Sequence, residues 1–240
     1  MSGGKRGPAL IRPVMATALV AVLGPVLAAC SGSATSAPPA MSPNQLKADM
    51  RTALRSATGV HVTGNISGPR GGVGLNLNVR RSGQLAGTVV NNGVPIQLVA
   101  TGGRTYVKAT PAFIAGLHLP AGVCRTICGK YLVIPPGKAA ALTTTISLPA
   151  LTGPLVSNRA RFTGTRVTRS SLDGTPVYVL HTSGGGTIQV TQSAPHYPLA
   201  VISPGRRHGV LTFSDWNKVP APRPPPRSQL VTTGSGRTRA

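Results

Sequence analysis

From Gly59 onward, apolar residues recur at every second position in short runs separated by turn signals, a period that suits half-buried strands and not helices. Val60, Val62 and Ile66 alternate with His61, Thr63, Asn65 and Ser67, and Val73, Leu75, Leu77 and Val79 alternate with Gly74, Asn76, Asn78 and Arg80. Turns are signalled at Gly68-Pro69-Arg70-Gly71, Asn92-Gly93, Gly102-Gly103, Asp173-Gly174, Gly184-Gly185-Gly186 and Pro204-Gly205. Candidate strands between them lie near 84–91, 94–101, 104–109, 130–134, 160–169, 175–182, 187–192, 198–203 and 208–214. Strands joined consecutively by tight turns make an antiparallel meander. Aromatic residues are only 3% of the chain, so its core must be built mostly from small side chains.

One helix precedes the sheet. Ser42 is placed as N-cap, Pro43 at the first helical position, and Gln45 can reach back to complete a capping box. Leu46, Met50, Leu54 and Ala57 follow at spacings of three and four, and Gly59 supplies a stop, which predicts a helix over about 43–58. Alternation weakens from Thr110 to Leu155, where 111–117 and 137–143 read as short helices capping one face of the sheet.

The N-terminus reads as an export signal. Lys5, Arg6 and Arg12 precede an apolar stretch from Val14 to Ala29 that is shorter than a membrane span and broken at Gly24-Pro25. It ends in Leu27-Ala28-Ala29-Cys30, which resembles a bacterial lipobox, whose cysteine thiol receives diacylglycerol before the chain is cut ahead of it. Residues 1–29 are then signal peptide, 30–41 a lipidated tether rich in Ser, Ala and Pro, and 42–219 one folded domain. From Pro220 to Ala240 a Pro- and Arg-rich stretch reads as an extended, mobile, basic tail.

Apart from Cys30, the chain has Cys124 and Cys128, an even pair in an oxidising compartment that favours a small disulfide loop; a redox pair or a metal site is the alternative. Three acids, Asp49, Asp173 and Asp215, stand against 25 Lys and Arg, for a net charge of +22. That balance favours anionic partners, among them an anionic membrane surface. It disfavours hydrolase and glycosidase chemistry, which needs carboxylates or an oriented His, and no Gly-x-Ser-x-Gly elbow is present. Scattered basic residues and scarce aromatics argue against nucleic-acid binding. No enzyme activity, metal or cofactor is expected.

A lipobox, a short tether, one helix and a strand opening Gly59-Val60-His61-Val62-Thr63-Gly64 together resemble the LppX and LprG family of actinobacterial lipoproteins. Gly103-Arg104-Thr105-Tyr106-Val107-Lys108 is similar to a strand of that family, and Leu211-Thr212-Phe213-Ser214-Asp215-Trp216-Asn217-Lys218 to its final strand. The family in turn resembles periplasmic lipoprotein carriers of the LolA type. The resemblance implies an α+β fold, a strongly curved antiparallel sheet forming an incomplete barrel over a few helices, with an apolar cavity for acyl chains of lipids or glycolipids. It also implies an envelope protein anchored to the outer face of the cytoplasmic membrane. Val60, Val62, Ile66, Leu75, Leu77, Ile96, Leu98, Val177, Val179, Ile188 and Val190 are the candidate cavity lining, with ordinary core as the other reading and a scaffold or interaction module without cargo as the other function.

Overall fold

The computed structural model describes residues 41–69, 71–206 and 208–231. The signal segment, Cys30 and the last nine residues lie outside these. Helix α1 spans Pro43–Ser56 and opens on the expected capping box, the Ser42 hydroxyl accepting from Gln45 N and the Gln45 side chain accepting from Ser42 N. Its apolar stripe, Leu46, Met50, Ala53 and Leu54, is buried.

Eleven strands follow: β1 (Gly59–Gly68), β2 (Gly71–Arg80), β3 (Leu85–Asn91), β4 (Val94–Thr101), β5 (Arg104–Lys108), β6 (Tyr131–Ile134), β7 (Phe162–Leu172), β8 (Thr175–Thr182), β9 (Thr187–Thr191), β10 (Pro198–Ser203) and β11 (His208–Ser214). They form one sheet in the order β6-β5-β4-β3-β2-β1-β11-β10-β9-β8-β7, every described neighbour antiparallel. Two meanders, β1 to β6 and β7 to β11, are thus sewn together by β1 and β11, with Val62 opposite Phe213 and Gly64 opposite Leu211. The sheet is not closed, and the whole is an α+β fold with a curved sheet over helices. Asn92-Gly93, Gly102-Gly103 and Asp173-Gly174 each place two consecutive residues at positive φ, the two-residue hairpin turn whose twist matches that of its strands.

Four helices interrupt the meander: α2 (Pro111–Gly116), α3 (Ala121–Ile127), α4 (Pro136–Thr145) and α5 (Leu148–Val156). Helices α2 and α4 match the expected pair, whereas α3 and α5 are additional. Helix α5 begins on the same kind of signal as α1, with Ser147 Oγ accepting from Ala150 N and Pro149 in the first turn, but Pro154 inside it masks the pattern.

Two ends of the sheet can be told apart. At one, Trp216 is buried, its Nε1 donating to Pro198 O at 3.0 Å and its ring stacked on Tyr197 at 4.6 Å. There Asn217 Oδ1 accepts from Thr58 N at 2.7 Å and Asn217 Nδ2 donates to the Tyr197 hydroxyl at 2.8 Å, tying the α1–β1 junction to the end of β11. At the other, the α2 end, lie the connections from β1 to β2, β3 to β4, β8 to β9 and β10 to β11, together with the excursion through α2 and α3.

The segment after Pro220 differs from the expected mobile tail as far as Val231. Pro222 O accepts from Thr101 Oγ1 at 3.1 Å, a 3-10 turn spans Arg227–Gln229, and Leu230 bridges Tyr131 in parallel, with Val231 N donating to Tyr131 O at 2.9 Å. Strand β6 is the edge of the sheet, and Leu230 and Val231 partly cover it at Tyr131, while Pro222 is held at the end of β4.

Candidate functional site

The inner face of the sheet is the face that α1 covers. At the Trp216 end its rows are closed: Val60 and Val62 on β1 and Leu77 and Val79 on β2 are buried in one cluster with Leu46 and Met50. Along the same rows toward the α2 end, the cover thins. Leu75, Val89, Ile96 and Leu211 are half-buried, and the last apolar pair, Ile66 opposite Val73, is 38% and 40% exposed. Apolar alternation therefore runs on past the point where helices cover it.

Of the eleven residues expected to line a cavity, Val60, Val62, Leu77, Leu98, Val177, Ile188 and Val190 are fully buried. Six of them are closed packing in this structure, and Ile188, although buried, also borders a hollow. Leu75 and Ile96 border the thinning region, and Ile66 stands at its rim. Val177 and Val179 depart from the expected face. Val179 pairs with Gln189 and Val177 with Thr191, whereas Tyr178 pairs with Val190 and Leu180 with Ile188, so Tyr178 and Leu180 share the face of Ile188 and Val190 on β9. The run Val177-Tyr178-Val179-Leu180 is apolar at every position, and alternation within it cannot choose a face.

A hollow of about 390 Å³ opens at the α2 end between α5, the β8–β9 turn and the end of β10. Its apolar lining includes Pro154, Leu155, Phe162, Ile188 and Val201, joined by Thr182, Ser183, Thr187 and Ser203 and by Arg159 and Arg161. Both arginines are exposed. Beside them, Lys47 Nζ donates to Ala160 O at 2.9 Å and lies 5.6 Å from the centre of the Phe162 ring. Burial, reinforced by the Arg51 and Arg161 charges, lowers the Lys47 pKa from its ordinary value. The hollow thus joins apolar walls to a concentrated positive charge, the pairing that fits an amphiphile with an anionic head. Sequence reasoning named only Ile188 among these residues. The apolar run of α5 followed by Arg159 and Arg161 was the available signal.

A larger trough of about 600 Å³ lies where Gly72 and Gly74 leave side-chain gaps between Asn65, Ser67, Val90 and Asn92. In the strand register these positions fall on the opposite face from Val60 and Val62, away from α1. No helix backs it, so it would not shield a hydrocarbon chain from water.

The groups available for catalysis do not converge. Asp49 is exposed on α1, Asp173 sits in the β7–β8 turn and Asp215 follows β11. His61 Nδ1 is 2.7 Å from Asn78 Oδ1, and His196 Nδ1 is 2.9 Å from Thr191 O, both structural contacts. Among the described residues no three His, Cys, Asp or Glu side chains are grouped to hold a metal. Cys124 and Cys128 form a disulfide across the last turn of α3, where Cys128 N also donates to Cys124 O at 2.9 Å.

No family model matches the chain, and no curated protein matches it. Solved structures similar to it include the following three. LprF from Mycobacterium bovis is 16% identical over 77% of this chain and 99% of its own, with a TM-score of 0.49. Lipoprotein LppX from Mycobacterium tuberculosis is 15% identical over 74% and 98%, with a TM-score of 0.44. MucB in complex with MucA is 15% identical over 78% and 60%, with a TM-score of 0.33. The structural neighbours LprF and LppX are mycobacterial lipoproteins of the LppX/LprG family, the family that the lipobox, helix and strand motifs of this chain resemble.

Proposed function

We propose that this chain is an exported lipoprotein, anchored through acylated Cys30 to the outer face of the cytoplasmic membrane, that holds or passes on an acyl chain of an envelope lipid or glycolipid. The observation that carries the reading is the gradient along the inner face, from full burial at Val60 and Val62 to an uncovered Ile66–Val73 pair, beside the hollow walled by Leu155, Ile188 and Val201. A methylene removed from water contributes about 0.8 kcal/mol, so even a short stretch of chain laid there is held measurably. The volume of 390 Å³ is near the low end of the roughly 300–1,000 Å³ of small-molecule sites, which suits part of one chain, with the remainder along the exposed rim.

The second reading, an anchored interaction module without cargo, draws on Val60, Val62, Leu77, Leu98, Val177 and Val190, the six expected lining residues that are closed core. Photocrosslinking separates the two. A diazirine-bearing palmitate is incorporated into vesicles that carry the full chain, irradiated, and the labelled peptides are mapped. Carriage places the label on peptides containing Leu155, Ile188 or Val201, and a Val201→Trp substitution, which fills the hollow, reduces it. Label confined to the acylated N-terminal peptide favours the module.

A further inference from the structure

We infer that the α2 end of the domain is its membrane-docking surface, seated on an anionic bilayer so that the thinning inner face and the hollow open toward the lipid. The inference rests on the anchor at Cys30 proposed above, and it stands whether or not cargo is carried.

Three observations converge on that end. The first is exposed apolar surface. Leu117 and Leu119, which follow α2, are 50% and 42% exposed, and Ile66 and Val73, 38% and 40% exposed, end the inner-face rows at the same end of the sheet. Helix α2 packs close to β4 at Gly116, where an added Cβ would lie 3.4 Å from the Val94 side chain. Val94 faces Asn91, which faces Val73, which faces Ile66. At about 4.8 Å per strand these positions span roughly 14 Å of rim, with the polar Asn91 between Val73 and Val94. Exposed large aliphatic side chains gathered at one end of a domain are the kind of surface that marks a protein or membrane contact.

The second is charge. Exposed Arg125 and Lys130 flank the α2–α3 excursion, Arg159 and Arg161 edge the hollow, and Arg206 lies in the β10–β11 turn. The three acids of the chain are elsewhere: Asp173 and Asp215 are at the Trp216 end, and Asp49 is midway along α1. Exposed cations occur at the Trp216 end too, at Arg81, Arg104 and Lys218, but there Asp173 and Asp215 accompany them. The α2 end joins cations and exposed aliphatic side chains without acids, which suits a surface that is negative outside and hydrocarbon within.

The third is where the anchor joins the domain. Met41 O accepts from Val167 N at 3.2 Å. Val167 adjoins Thr168, the partner of Val179, so the chain from Cys30 meets the β7 edge in the half of the sheet nearer the α2 end. Only eleven residues, Ser31 to Met41, separate the acylated cysteine from that point. A flexible tether of this length spans about 5–6 Å times the square root of its residue number, near 20 Å, which keeps this end close to the lipid.

Depth-dependent quenching tests the assignment on the full acylated chain, inserted into vesicles of phosphatidylcholine with phosphatidylglycerol and recovered by flotation. Leu117→Trp and Leu119→Trp, each made singly, report on the α2 end. Asp173→Trp reports on the opposite end, with the buried Trp216 as common background. Doxyl-labelled lipid is expected to quench the tryptophan at 117 or 119 and to leave that at 173 near background. Replacing Arg159 and Arg161 by Gln is expected to lower the docked-to-undocked ratio about fivefold per charge, the equivalent of about 1 kcal/mol for each cation at an anionic surface. Equal quenching at 117, 119 and 173 on floated protein overturns the docking while leaving the anchor intact. Failure to float overturns the anchor and the docking with it. Palmitate crosslinking reads the cargo independently of either.

Discussion

The seam between β1 and β11 holds the two meanders together, and its closeness depends on two glycines. A Cβ on Gly64 would overlap Val210 O, and one on Gly209 would overlap Asn65 O. Gly64 also has φ +130°, which side chains rarely adopt, whereas Gly209 has no such requirement. Gly83, in the turn after β2, supplies the converse case: φ is +83° and a Cβ added there would meet nothing within 4 Å. Alanine at these three positions therefore separates backbone strain from overlap. Gly83→Ala should cost about 1–2 kcal/mol, the left-handed penalty alone. Gly209→Ala should cost about 1–3 kcal/mol, the cost of overpacking a site whose obstruction is backbone and cannot rotate away. Gly64→Ala bears both and should cost about 2–5 kcal/mol, a large part of the ~5–15 kcal/mol that holds a domain together. Urea unfolding followed by circular dichroism reads the difference. With a slope of about 1–3 kcal/mol per molar, the midpoint of Gly64→Ala should fall by roughly 1–2 M while that of Gly83→Ala falls by less than half as much. Equal shifts for Gly64→Ala and Gly83→Ala would mean that the strands can part at no cost, and the account of the seam would be refuted.

Removing the Cys124–Cys128 bridge with the paired change to Ser should lower stability by about 2 kcal/mol, because so short a loop restricts the unfolded chain only modestly; a loss above twice that value on thermal unfolding would show a larger architectural role. Ending the chain at Ala221 removes the partners of Thr101 Oγ1 and of the Tyr131 backbone, uncovers β6, and should produce concentration-dependent self-association in light scattering; a monodisperse truncated chain would show that the edge needs no cover. Lys47 has a folded pKa below its ordinary 10.5, so its charge costs stability at neutral pH and the cost is relieved as pH rises through the folded value toward 10.5. Acylation of lysines at about pH 8.5 should accordingly label Lys47 ahead of the exposed lysines, and a labelling order that follows exposure alone would contradict the shift.

How far the fold could be read from the residues differs between elements for physical reasons. Strands and two-residue turns were legible because their signals are local: alternation sets the face, and Asn92-Gly93 or Asp173-Gly174 sets positive φ at both turn positions. The helix α1 was legible for the same reason, since Ser42, Pro43 and Gln45 state its start within four residues. What escaped was whatever depended on a partner distant in sequence. The face of Val177 and Val179 is decided by register with β9, and no property of an all-apolar run contains it. The docking of Pro222 and Leu230 depends on Thr101 at the end of β4 and Tyr131 on the edge strand β6, about a hundred residues earlier, so the same Pro- and Arg-rich composition that reads as a free tail becomes a strap. The candidate site failed in an intermediate way. Apolar alternation located the inner face, but alternation is identical for a residue under a helix and one at an uncovered rim, and only the placement of α1 and α5 separates Val62 from Ile66. For that reason functional information in this fold resides less in the strands themselves than in where the helices stop covering them, and substitutions that move that limit, such as Val201→Trp at the hollow, should change lipid contact without changing the strand order.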